Sequence, residues 1–220
     1  MGIILFLYCV SSAVAVFIFH YIYNAAVLNN DMATIPLTKE LAQYIKDEDA
    51  KREEIITQSR VILKESKSAI YSIHRREFVE AKNLLESAQR AIAALRKIIA
   101  AHPHLQYNLD NALEEYAEAK CYYSVEVDKK IPSFQDIDVD PINYLAALSD
   151  LTGELGRRAV IEATAKNTAR VEELRDIIEE VHGLLVKIDL RNGELRKKSD
   201  AIKWNLQKVE ELLYDLKRKS

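Results

Sequence analysis

Beyond residue 37 the apolar residues return every third or fourth position, the period at which side chains stack on one face of an α-helix. Over residues 38–74 the series Leu41, Tyr44, Ile45, Ile55, Ile56, Val61, Ile62, Ile70 and Ile73 predicts a first helix long enough to cross much of the molecule. A second, over 77–101, should stop at His102-Pro103, because the residue before proline is biased out of the helical region. A third is expected over 105–130, and 131–139 is the one clear loop, bounded by Pro132 and by Asp140-Pro141. Asp140 can accept the free amide hydrogens of a new helix, and proline fits its first position, so a fourth should run over 141–166. Thr168 is the expected cap of a fifth over 168–190, and Asn192-Gly193 separates it from a sixth over 194–217. Short links make consecutive helices antiparallel neighbours. The fold class is therefore all-α, an antiparallel bundle of about six helices. In the last helix Trp204, Leu206, Val209, Leu212 and Leu213 form an apolar stripe, suited to the core or to a subunit interface.

The first thirty residues break this pattern. They contain no Lys, Arg, Asp or Glu, and the apolar run 3–28 is long enough to span a bilayer as a helix. Yet Tyr8, Ser11, Ser12, His20, Tyr21, Tyr23 and Asn24 dilute it, and no basic residue precedes it to orient insertion or to make a secretory signal. The character changes at Asp31-Met32, so Met32 is a candidate initiator. Residues 1–31 are either a mis-assigned start or a transmembrane helix, with a buried helix as a third reading; 32–220 form the helical domain. The first reading implies a cytoplasmic protein, the second a membrane-anchored one.

Composition narrows the class. Five Gly and four Pro against 30% charged residues favour long helices over a turn-rich sheet protein. A formal net charge of −3 gives no bulk attraction to nucleic acid, so any such binding needs a local basic surface. Cys9 and Cys121 lack the close spacing of a zinc or redox motif and read as buried thiols. The histidines are scattered, without the spacing of a zinc site, and His74 suits packing or hydrogen bonding better than a role as a base. There is no Gly-rich phosphate loop and no Ser/His/Asp arrangement.

The chemistry concentrates in two short acidic clusters. Glu115 and Glu118 are spaced i,i+3 and Asp150 and Glu154 i,i+4, so each pair projects from one helix face. Grouped carboxylates repel and persist where a divalent cation or shared protons neutralise them, with Mg²⁺ the natural candidate and Mn²⁺ the alternative. The bland reading is a set of solvated carboxylates, or partners for Arg157 and Arg158. Flanking by Leu113, Tyr116, Leu148, Leu151 and Leu155 argues for partial burial.

Four segments carry a resemblance. Glu65-Ser66-Lys67-Ser68-Ala69-Ile70-Tyr71-Ser72-Ile73-His74-Arg75 is the first, and Glu115-Tyr116-Ala117-Glu118-Ala119 the second. Pro141-Ile142-Asn143-Tyr144-Leu145, leading into Asp150-Leu151-Thr152-Gly153-Glu154-Leu155, is the third, and the tail from Leu195-Arg196-Lys197-Lys198 to Lys217 the fourth. Over residues 37–219 the chain resembles the translin family, and within it the catalytic branch of translin-associated factor X, in a single-subunit version of prokaryotic or archaeal type. The resemblance implies a translin-like all-α subunit of seven-helix type, so six to seven helices in all, and assembly of copies of this chain into a closed barrel, an octamer being one candidate size. It also implies binding of RNA or single-stranded DNA and Mg²⁺-dependent endoribonuclease activity. Carried over residue by residue, the metal and catalytic carboxylates fall on Glu115, Glu118 and Asp150, with Glu154 as a fourth. The basic surface departs from the family: its segment would fall at 77–84, where this chain has Glu77, Glu80 and Lys82. Arg75, Arg76, Lys82, Arg90 and Arg157 remain as nucleic-acid contacts, with Arg96 and Lys97 as further cations. Two other readings stay open, a non-catalytic nucleic-acid-binding module and a membrane-tethered helical scaffold.

Overall fold

The structure, a computed structural model, describes residues 39–219. The alternatives for residues 1–31 lie outside the described residues. Contacts divide the chain after Lys46, and the packing below concerns Asp47 onward. Among the described residues there are six α-helices and no strand: α1 Lys39–His74, α2 Phe78–Ala101, α3 Tyr107–Val127, α4 Pro141–Thr164, α5 Thr168–Val186 and α6 Glu194–Lys219. No described helix is long and apolar enough to cross a membrane.

Helix α4 is the centre of the packing, lying against α3, α5 and α6, while α5 also packs on α6 and α2 on α3. Small residues make this possible. Ala146, Ala147, Ala159 and Ala163 of α4 and Ala112, Ala117 and Ala119 of α3 are all buried, so the backbones approach closely and Leu148, Leu151 and Leu155 fill the space between. Helix α1 buries Ile55, Ser59, Ile62, Ser66, Ala69 and Ile73, at alternating steps of three and four, and widens near its end to include Ile70 and Ser72.

The helix ends follow local chemistry. Asp140 Oδ1 accepts from the amides of Ile142 and Asn143 at 3.0 and 3.1 Å, and Pro141 opens α4 as expected. The cap of α5 is Asn167 rather than Thr168: its side chain accepts from Arg170 N, and Thr168 is the first helical residue. Helices α3, α4 and α5 stop two to four residues short of their predicted ends, at Val127, Thr164 and Val186. For the first two the reason is visible, since Lys129 and Lys166 have φ of 58° and 56°, outside the right-handed helical region. The C-terminal stripe divides. Val209 and Leu213 are buried in the subunit's own core, which removes them from any interface, whereas Trp204 is 57% exposed.

Candidate active site

One cleft of about 750 Å³ gathers residues from four helices. Its floor is α3 and α4, which present Glu115 and Glu118 opposite Asp150 and Glu154; α1 supplies Lys67 and Tyr71, and α6 supplies Lys197, Lys198 and Asn205. The two acidic pairs thus share one cavity because their neighbours Tyr116, Ala117, Leu151 and Leu155 are drawn into the interface between α3 and α4. Helix α6 is pinned over α4 by Asn205 Nδ2, which donates to Thr152 Oγ1 at 2.9 Å.

The carboxylates are not equivalent. Glu118 is 7% exposed, and burial, reinforced by the charges of Glu115, Asp150 and Glu154, pushes its pKa up to about 9. Burial also raises Glu115, against the opposing pull of Lys67, whose ammonium stands 3.8 Å away. Glu154 goes the other way. Its hydrogen bond with His74 Nε2, at 2.5 Å, holds it below the ordinary carboxylate range despite partial burial. Arg157 stands 3.7 Å from the same oxygen atom.

Lys198 is the counter-charge of the cluster. Its Nζ donates to Asp150 Oδ2 at 2.5 Å and to Glu114 Oε1, tying α6 to both α4 and α3. Burial works against its charge, but the bonds to Asp150 and Glu114 outweigh it and raise its pKa. With Asp150 turned to Lys198 and Glu154 to His74, no three His, Cys, Asp or Glu among the described residues stand at metal-ligand geometry.

The cations named from sequence are dispersed. Arg157 lines the cleft; Arg75, Arg76, Lys82 and Arg90 do not. Arg75 donates to Glu77 at 2.8 Å, Arg76 to Glu162 at 2.8 Å, and Lys82 stands 3.9 Å from Glu86. Arg96 pairs with Asp138. Lys67, Tyr71, Lys198 and Asn205 were not among the candidate site residues, because nothing in the local pattern of α1 or α6 marks these positions as facing the acidic pairs of α3 and α4. For Lys67 and Lys198 the available signal was their place inside segments that carried the family resemblance.

The translin family's sequence profile matches residues 50–219, which include all four cleft carboxylates. The chain belongs to the translin family. An uncharacterized protein of Methanocaldococcus jannaschii is 33% identical over 174 residues, covering 77% of this chain and 78% of that one. Translin of Gallus gallus is 33% identical over 92 residues, and human translin 35% over 78; these matches cover 38% and 34% of the translins. Among solved structures, apo-NeC3PO superposes with a TM-score of 0.78 at 26% identity, covering 84% of this chain and 99% of that one. AfC3PO, solved in complex with duplex RNA, superposes with a TM-score of 0.77 at 21% identity over 82% of this chain and 96% of its own. The all-α bundle is thus the fold of this family.

Proposed function

We propose that this chain is a metal-dependent endoribonuclease of the translin family that works on RNA as a homo-oligomer. The observation that carries the reading is the convergence of Glu115, Glu118, Asp150 and Glu154 in one cleft rimmed by Lys67, Arg157, Lys197 and Lys198. Family membership supports it, as does AfC3PO's structure with duplex RNA. The donor set is all carboxylate oxygen, which fits a hard divalent cation. Burial, reinforced by the neighbouring carboxylate charges, favours a proton on Glu118, and that is the condition such a cation relieves.

Glu115, Glu118 and Asp150 would hold Mg²⁺ or Mn²⁺, which when bound supplies Lewis-acid polarisation of a phosphodiester and an activated water. The protein's own groups do the rest. Glu154, ionised through its bond with His74, orients the attacking water and accepts its proton. Arg157 and Lys197 stand at the rim, where an RNA backbone brings negative charge, and offset the charge that builds up at phosphorus. Exposed Val79, Tyr107, Ile142, Trp204 and Tyr214 offer apolar surface for contacts between copies.

A second reading has one observation in its favour. Lys198 already neutralises Asp150 and Glu114, as it would in a cleft that binds RNA without cutting it. One experiment decides between them: incubation of the full chain and of Asp150→Asn with labelled RNA, in Mn²⁺, Mg²⁺ or EDTA. Cleavage that needs the cation and falls by about 10² or more in the variant, with RNA binding retained, supports the nuclease. RNA binding without cleavage under every condition supports the module. Equal cleavage by both proteins overturns the assignment of Asp150.

A further inference from the structure

Beneath Glu154 lies a buried chain of polar groups from three helices. His74 ends α1 with its side chain 5% exposed; its Nε2 meets Glu154 Oε2 at 2.5 Å, and its Nδ1 lies 3.1 Å from the hydroxyl of Tyr122 on α3. The two rings touch at a centroid distance of 5.0 Å. The main chain is anchored as well, since Arg158 Nη1 of α4 donates to the carbonyl of His74 at 3.2 Å. Neither His74 nor Tyr122 lines the cleft.

Proton accounting fixes the direction of the bonds. Tyr122 is fully buried and burial raises its pKa, so the phenol keeps its proton, and Nδ1 at 3.1 Å is the acceptor within its reach; Glu154, held ionised, can only accept from Nε2. With Nδ1 accepting, a neutral ring carries its proton on Nε2, and that N–H points at Glu154. A carboxylate can rotate about its last torsion with little restraint, so a single buried donor that is itself locked by a second bond sets its orientation.

We propose that Tyr122 and His74 form a positioning relay for Glu154: Tyr122 selects the histidine tautomer, and His74 holds the carboxylate at the angle the cleft chemistry uses. The inference rests on the reading of the cleft as a cation-dependent site, but its first test does not. Neither residue touches substrate. Their effect passes through Glu154, which distinguishes them from the carboxylates themselves. The four acids then divide in kind, with Glu154 alone oriented from below by a neutral donor, and Asp150 held from the side by Lys198.

Nitrogen-15 NMR of the full chain, with no metal added, reads the tautomer of His74 directly. The relay requires a proton on Nε2 and none on Nδ1 at neutral pH, and a mixture of tautomers in Tyr122→Phe. A proton on Nδ1 in the wild-type chain, or an unchanged tautomer in Tyr122→Phe, overturns the relay whatever the cleft does. The second test follows Mn²⁺ affinity and the separate kcat and KM for RNA. His74→Leu should weaken Mn²⁺ binding and lower kcat, each by about tenfold, with KM little changed, as expected when the group that orients a carboxylate beside the bound cation and its water is lost. His74→Gln keeps an N–H near the position of Nε2 and should recover most of both. In a Glu154→Gln background His74→Leu should add little. If His74→Leu melts early, the Gln variant and Tyr122→Phe carry the comparison. Equal losses in the Leu and Gln variants, or an undiminished effect without Glu154, would leave His74 a packing residue and refute positioning. Should the wild-type chain bind no Mn²⁺ and cut no RNA while its NMR shows the expected tautomer, the nuclease reading fails and the relay's role falls with it, but the hydrogen-bond chain stands.

Discussion

Replacing Lys198 with Met should tighten divalent cation binding. The Lys198 ammonium lies 2.5 Å from Asp150 and also bonds Glu114, so a cation entering the cluster must first break or outcompete this contact. Two unit charges 4 Å apart attract by about 4 kcal/mol at an effective dielectric of 20 and by about 1 kcal/mol in bulk water. The Lys198 and Asp150 side chains are 29% and 36% exposed, so solvent screens the pair and the lower part of that range applies. A competing interaction of roughly 1.4 kcal/mol removed from the metal-free state corresponds to about tenfold in affinity. Loss of the ammonium has an opposing effect: carboxylates without a neighbouring cation bind protons more readily, so the comparison belongs near pH 8, where protons compete less. The assay is titration with Mn²⁺ followed by electron paramagnetic resonance, alongside thermal melting in EDTA, where Lys198→Met should melt below wild type because Asp150 and Glu114 have lost their partner. Mn²⁺ affinity equal to or weaker than wild type at pH 8 would refute the view that Lys198 occupies the place of a cation.

Glu118 makes metal-free stability depend on pH. A carboxyl raised from 4.5 to about 9 on folding binds its proton more tightly in the folded state, so its contribution is greatest at low pH and declines as pH rises through that window. The melting temperature in EDTA should therefore fall from pH 5 to pH 9, and Glu118→Gln should flatten the slope; an unchanged slope would reject the shift. Arg158, 2% exposed, lies 2.9 Å from Glu162 and 3.7 Å from Glu126, both nearly as buried, so Arg158→Met leaves Glu162 to Arg76 and Glu126 to Arg170 alone and should lower unfolding stability by about 3 kcal/mol, the low end for a broken buried pair, in a urea titration. A loss below about 1 kcal/mol would mean that water or Arg170 takes over the charge. Arg157→Glu should weaken RNA binding in fluorescence anisotropy and reduce its salt dependence, whereas Lys82→Glu, outside the cleft, should change both much less. Equal effects would place the RNA elsewhere.

The sequence was most informative where a signal is local. Six helices, the Asp140-Pro141 start and the loop over 131–139 followed from period and capping chemistry, which act within a few residues. Errors fell at helix ends, as at Asn167, where two adjacent residues can both cap and tertiary packing selects one. The i,i+3 and i,i+4 spacings placed each acidic pair on a face, but nothing in either segment said that the two faces would meet. Lys198, Tyr122 and the partners of His74, itself legible as a packing or hydrogen-bonding residue, were hidden for the same reason: the contacts with Asp150 and Glu154 join residues 48 and 80 apart, or act through an intermediate ring. The cations were the least legible class. Arg75 and Arg76 look alike in the chain, yet one donates to Glu77 beside it and the other to Glu162 on a different helix.

The placement of Lys198 on the last helix has a consequence for the order of assembly during synthesis. Helices α3 and α4 leave the ribosome before α6 and pack on one another through neighbouring apolar side chains, so their acids come together while the counter-charge of Asp150 and Glu114 is still being made. Like charges at short range oppose that pairing. The final helix therefore completes the hydrophobic core through Ile202, Val209 and Leu213 and also discharges an electrostatic load left by its predecessors. A nascent chain halted before α6 would carry a bare acidic hollow with its flanking apolar faces uncovered, the kind of surface on which chaperones and proteases act.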